Sequence, residues 1–427
     1  MNILFENIRL INPTIKQDNR IYLWLKNGII LHCSDNNPQI DEDTEIIKAN
    51  HLVCSPGLFD MHVHFREPGY EYKEDITSGC SAASNGGFTG VCCMPNTDPA
   101  IDSPAVVEFI KQKAVGNCTD LYISAAITKN REGTHISPMY ELAEYGVVLF
   151  TDDGNCVMSS ETMRRAFEYS ATKDLLIAQH CEDHSLTKDF AMNEGNISTI
   201  LGLKGYPNIA EEIIIARDIM LAEYCGNCRY HISHISTKNA IELVRQAKKK
   251  GLRITCETTP HHFSLTDDLL SNYSPSLKMN PPLRTKEDVE AVIEGLIDGT
   301  IDCIATDHAP HSLHDKDVEF ERSPFGIIGL ETSLGIALTY LIHTNRMTLM
   351  QVIDKMSSSP RRILRLPEIK IAVGEKANLT IFDPNEEWIV DLNAFKSKSR
   401  NCPYGGMRLR GKPVFTINNS QLYKCSL

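Results

Sequence analysis

The stretch LVCSPGLFDMHVHFREPG, residues 52–69, is an apolar run that ends in His62, His64 and Arg66. Alternate residues of an extended chain line one face, so these three side chains are expected to point the same way. Two imidazoles on one face suit a transition metal, and a guanidinium beside them suits a carboxylate or phosphate. An isolated H-x-H is more often an ordinary strand with one buried histidine, so the rest of the chain must decide.

Seven further β-branched runs follow: 88–94, 121–127, 146–153, 175–180, 230–236, 252–258 and 301–308. Amphipathic helical stretches separate them, among them 103–114, 161–172, 210–224, 237–250 and 286–295. With residues 52–60 as the first strand, eight βα units predict a parallel (β/α)8 TIM barrel. Both flanks alternate in hydrophobicity instead (NILFENIRLIN, IYLWLKNGIILHC; KANLTIFDP, GKPVFTINNSQLYKC). Each flank is short for a sheet of its own. Residues 1–51 and 370–427 are therefore expected to form one small composite β-domain, with residues 52–369 as the barrel.

The chain has 427 residues, 42% of them hydrophobic, and a net charge of -12, which fits a globular protein and gives no electrostatic footprint for nucleic acid or anionic membrane. No apolar run approaches the ~18 residues of a membrane span, and the start lacks a secretory pattern. Fourteen irregularly spaced cysteines look like the reduced thiols of a cytoplasmic protein, and the single C-x-x-C, Cys225 to Cys228, looks like the turn after a helix.

The polar residues fall at the ends of the strands. His62 and His64 close strand one, Asp152 and Asp153 strand four, His180 strand five, His234 comes late in strand six and Asp307 closes strand eight. In a (β/α)8 barrel these ends converge on one mouth. Four imidazoles and two carboxylates pair best around cations, and nitrogen and oxygen ligands without thiolate fit zinc or a similar divalent ion. Their number fits two ions sharing one carboxylate, an arrangement suited to hydrolysing an amide-like bond with a bridging hydroxide. Adjacent residues face opposite sides of a strand, so only one of Asp152 and Asp153 can bridge, and periodicity does not choose between them.

These motifs, with GGFTGVCCMPNTDP, FTDDG, AQHCED, HISHIST, TPHH, MNPPLR, ATDHAPH, SPFGIIGLET and CPYGGMRLRGKPVFT, resemble the amidohydrolase superfamily and, in its cyclic amidohydrolase branch, the bacterial type I dihydroorotases, essentially end to end. The resemblance implies reversible hydrolysis of L-dihydroorotate to N-carbamoyl-L-aspartate in pyrimidine synthesis. It implies two zinc ions: His62 and His64 on one, His180 and His234 on the other, Asp153 as the bridge, and Asp307 as ligand of the first and general acid/base. It further implies that Arg66, Asn96 and His311 hold the substrate carboxylate, with Asn280 and the backbone of Phe325 and Gly326 on the ring and His64 also substrate-binding. His231 is left as a structural residue, and His261 and His262 as supporting ones. The partner implied is a small molecule, with a homo-oligomer possible. Two other readings are an allantoinase or dihydropyrimidinase-like hydrolase, whose substrates need not carry this carboxylate, and a metal-free partner of aspartate transcarbamoylase, which would have lost ligands. Residues 312–326 read either as a lid or as a solvated loop.

Overall fold

A computed structural model describes the whole chain, residues 1–427. Eight parallel strands run in chain order: Leu58–Val63, Phe88–Cys93, Asp120–Ala125, Leu149–Phe150, Ile177–Gln179, Tyr230–Ile232, Ile254–Thr258 and Cys303–Ile304. A parallel bridge from Val63 to His308 joins the last strand to the first and closes the barrel. Helices alternate with the strands. Ser160–Ala171, Ile209–Tyr224, Lys238–Lys249 and Lys286–Asp298 lie within a few residues of their predicted positions. The starts of three of them are fixed by side-chain caps: Ser159, Thr237 and Thr285 each accept a backbone N–H of the first turn. No cysteine is paired in a disulfide, and Cys225 ends the helix Ile209–Tyr224. No helix is long and apolar enough to cross a membrane.

The first strand differs from its sequence reading. Residues 52–60 are not one strand but two, Val53–Pro56 and Leu58–Val63, with Gly57 between them. Val53–Pro56 belongs to a second sheet, pairing in parallel with Asn2–Asn12 and antiparallel with Leu379–Ile389. That sheet takes in Gln17–Lys26, Ile29–Ser34 and Glu45–Lys48 from the N-terminal side and Arg408–Asn418 and Gln421–Lys424 from the C-terminal side. Its core, including Phe5, Leu10, Leu23, Leu25, Leu379 and Ile417, is separate from the barrel core. Both strands beside Gly57 are wholly buried, so the apolar run shows no break where one sheet hands over to the other.

Strand seven ends at Thr258 as the sequence suggests, but the other strands after the first end earlier than their apolar runs. Asp152 and Asp153, His180, His234 and Asp307 therefore sit just past their strands rather than in them. Within strand one the register shifts between Asp60 and Val63. Strict alternation fails there: Met61 packs its sulfur 3.5 Å from Cys303 in the barrel interior while His62 turns to the site. Bulges of this kind re-aim side chains beside functional sites.

Gly57 is confined by both units. A Cβ there would lie 2.0 Å from Thr89 Oγ1 and 2.2 Å from Asn378 Oδ1. Gly57→Ala is expected to destabilise the protein by about 1–3 kcal/mol through overpacking, seen as a lower urea midpoint. An unchanged midpoint would show that the junction yields freely.

Candidate metal centre and active site

The six candidate ligands meet at the C-terminal mouth of the barrel. His62, His64 and Asp153 form one group able to hold a metal ion, and Asp153, His180 and His234 form another, so Asp153 belongs to both. His62 Nε2 lies 3.3 Å from Asp153 Oδ1, and His64 Nε2 lies 3.5 Å from Asp153 Oδ2. His234 Nε2 is 3.8 Å from Asp153 Oδ1 and 2.8 Å from His180 Nδ1. Asp307 Oδ1 lies 2.9 Å from His64 Nε2 and 3.5 Å from His62 Nε2. Two ligands on one tetrahedral zinc stand about 3.3 Å apart, close to several of these separations.

His62 Nε2 and Asp153 Oδ1, which face each other across the site, are buried with no hydrogen-bond partner, a costly state that a cation would relieve. Burial pushes the Asp153 carboxyl up, but His62, His234 and His64 together hold it well below the usual carboxylate range. Burial raises Asp307 likewise, and His64 and His62 bring it below its ordinary value. Both carboxylates are thus set to be ionised and coordinating. The donor set and the orphaned atoms fit a pair of divalent ions.

The outer nitrogen of three of the imidazoles is fixed by an oxygen acceptor. His62 Nδ1 donates to Glu257 Oε1 at 2.6 Å, His64 Nδ1 to Asn96 Oδ1 at 2.8 Å, and His180 Nε2 to Glu182 Oε2 at 3.0 Å. Such acceptors set the tautomer and aim the other nitrogen at a metal. Glu257 and Glu182 are missed by the sequence reading. The signal available was a lone glutamate in each of two otherwise apolar or ligand-bearing segments, ITCET and AQHCED.

Asp152 and Asp153 separate cleanly. Asp152 accepts the Thr128 N–H at 2.9 Å with one oxygen and the Thr128 hydroxyl with the other. Its carboxylate serves the neighbouring loop and does not join either ligand group. His262 is also spent on the protein, accepting from the Thr259 hydroxyl at 2.8 Å and donating to the Pro281 carbonyl at 3.1 Å. His231 pairs with Thr255 Oγ1 at 2.8 Å. Burial brings His261 down to about 4, leaving a neutral ring.

A cavity of about 320 Å³ opens above the ligands, and its walls include Arg66, Asn96, Asn280, His311, Phe325 and Gly326. Arg66 reaches it differently from the sequence expectation: the strand stops at Val63, and Arg66 takes a left-handed backbone at φ 62°. His234 and Asp307 also have positive φ, 34° and 50°. Such strain in non-glycine residues concentrates at functional sites. Arg66 donates through Nε to the Pro310 carbonyl at 3.2 Å, which leaves the terminal nitrogens of its fork for a ligand. His311 donates from Nε2 to the Phe325 carbonyl at 2.8 Å and has Lys73 Nζ 3.4 Å from Nδ1. Asn280 Nδ2 is held by Glu182 at 2.7 Å, while its Oδ1 is buried and free. Gly326 has φ 124°, and a Cβ there would meet that of Ala309 at 2.7 Å.

The segment after His311 contains one helical turn, Leu313–Lys316, and is tied down by two buried ammonium groups. Lys316 donates to the carbonyls of Pro275 and Pro324, and Lys278 to those of Phe320 and Glu321.

The family model Dihydro-orotase-like matches residues 51–240. The dihydroorotase of Syntrophus aciditrophicus is 45% identical, with 98% of each chain covered, and that of Chlorobaculum tepidum is 46% identical, with 99% of each covered. The chain belongs to the dihydroorotase family. Membership makes it a cyclic amide hydrolase, and a metal-binding His/Asp centre lies at its mouth. The fold is shared with the L-hydantoinase (dihydropyrimidinase) of Arthrobacter aurescens, at a TM-score of 0.88 and 23% identity over 100% of this chain and 96% of that one. The dihydropyrimidinase of Brevibacillus agri gives a TM-score of 0.85 at 19% identity, over 100% and 95%.

Loss of the Glu257 acceptor should loosen the metal that His62 faces. Glu257→Gln is expected to weaken metal binding roughly 10- to 100-fold, measured by competition with a chromophoric chelator. Asp153→Ala should lower metal content far more than Asp152→Ala, and the opposite ranking would reverse their assignment.

Proposed function

We propose that this chain is a dihydroorotase that interconverts L-dihydroorotate and N-carbamoyl-L-aspartate at a pair of zinc ions. The observation that carries the reading is the juxtaposition of two ligand groups sharing Asp153 with a free guanidinium fork, Arg66, on the wall of the same cavity. The family relationship supplies the substrate class. The ions, held by His62, His64, His180, His234, Asp153 and Asp307, would supply a water acidified to near neutrality and positive charge against the carbonyl oxygen.

The chain's own residues do the rest. Arg66 grips the ring carboxylate through two charge-assisted hydrogen bonds, and Asn96, already bonded to His64, stands beside it. Asn280 offers its free Oδ1 to a ring N–H. Asp307 stands at the cavity between the imidazoles and the substrate, able to take a proton from the attacking water and return it to the ring nitrogen as the amide bond breaks. Ring closure runs the same transfers backwards. Because closure consumes a proton, acid favours the ring and alkali the open chain.

Two substitutions test this. Asp307→Asn should keep the fold and lower turnover by about a hundredfold or more, the range of a general acid/base, and near-normal turnover would remove Asp307 from proton transfer. Arg66→Lys keeps the charge but breaks the fork, so kcat/KM for dihydroorotate should fall roughly thirtyfold or more, with metal content unchanged. Any trace turnover of dihydrouracil, which lacks the carboxylate, should barely respond. An equal loss on both would show that Arg66 supports the site rather than the substrate.

A further inference from the structure

Arg131 lies outside the ligands and substrate contacts described above, in the turn that follows barrel strand three. Three features set it apart. The first is its backbone: Asn130 and Arg131 are consecutive non-glycine residues with φ of 53° and 59°. Two left-handed residues in a row are costly and persist only where their surroundings hold them.

The second is what holds them. The Asn130 N–H donates to Asp102 at 2.9 Å, and the Gly133 N–H to Thr128 Oγ1 at 2.9 Å. Asn155 Nδ2 donates to the Arg131 carbonyl at 2.9 Å. Thr128 is the residue that occupies Asp152, and Asn155 lies two residues beyond Asp153. The turn carrying Arg131 is therefore fastened to the loop that carries the shared carboxylate.

The third is the side chain. Arg131 Nε is buried with no partner, and the guanidinium donates no hydrogen bond within the chain. Its Nη2 lies 3.7 Å from where a Gly154 Cβ would stand, and Asn96 Nδ2 lies 3.4 Å from the same point. Gly154 and Asn96 both line the cavity. Arg131 also bears on Arg66 as a like charge, and burial brings Arg66 down to about 10 despite Asp307 and Asp153 nearby. Neither guanidinium is in a direct ion pair, and although Asp152 and Asp153 act on Arg131 and Asp307 and Asp153 on Arg66, an anion between the two arginines would gain hydrogen bonds from both.

We infer that Arg131 is a second carboxylate-binding arginine, which closes on the substrate's ring carboxylate from the Asn96 and Gly154 side while Arg66 grips it from the other. This rests on the dihydroorotase reading and adds a specificity residue to it. The arrangement also serves capture. The chain carries a net charge of -12, so an anionic substrate meets overall repulsion, and Arg66 on the cavity wall with Arg131 behind it provides a local field that draws it in.

The test is equilibrium binding to the metal-loaded protein of two planar probes, orotate, which carries the ring carboxylate, and uracil, which does not. Arg131→Gln should weaken orotate binding by about tenfold or more, leaving uracil binding and metal content unchanged. Arg131→Lys should fall between it and the unmodified protein, and added salt should weaken orotate binding less in Arg131→Gln than in the unmodified protein. Equal effects on both probes, unchanged orotate binding in both variants, or loss of metal would overturn the inference. An unmodified protein that binds orotate no better than uracil would instead sink the dihydroorotase reading itself, so the two failures are distinguishable.

Discussion

Everything at the mouth of this barrel depends on one carboxylate, Asp153, buried within reach of His62, His64 and His234 and sharing a ligand group with His180. A charge so placed is tolerable only if its neighbours compensate it. The requirement propagates outward. An imidazole ligand must present the correct nitrogen, and for His62, His64 and His180 the residues Glu257, Asn96 and Glu182 are placed to hold the other one. These acceptors come from strand seven and from the segments just past strands two and five, so the tautomers at the site depend on the barrel being correctly closed.

The barrel was legible in the sequence because its strands are apolar runs separated by helices with clear caps and amphipathic faces. What was not legible was where those runs stop being strands. Leu149–Phe150 and Cys303–Ile304 keep only two residues each in the ladder, because the chain leaves the sheet early to carry polar residues into the mouth. The partner of Val53–Pro56 could not be read either. Its neighbour Leu379–Ile389 lies more than 300 residues away, and local pattern holds no record of such a pairing.

For the site, residue type and position at strand ends sufficed to single out the candidate ligands, and alternation from His64 singled out Arg66, whereas Asn96, Asn280, His311, Phe325 and Gly326 on the cavity wall came from family resemblance. The choice between Asp152 and Asp153 came from family resemblance alone, since it turns on a hydrogen bond from Thr128 that no periodicity encodes. Glu257, Glu182 and Arg131 escaped notice for a related reason. Each is an unremarkable charged residue in its own segment and acquires meaning only from what the fold sets beside it.

The sheet that brings the two ends of the chain together also orders events during synthesis. Val53–Pro56 leads directly into barrel strand one, yet its antiparallel neighbour is made only after the whole barrel has emerged from the ribosome. Until then one edge of the N-terminal strands stands open, a ready template for pairing with another chain. The long-range closure of that edge carries a high entropic cost and comes late. The N-terminal segment must therefore stay soluble with an unpaired strand for most of the time the protein takes to be made, and aggregation of nascent chains is the hazard this architecture carries.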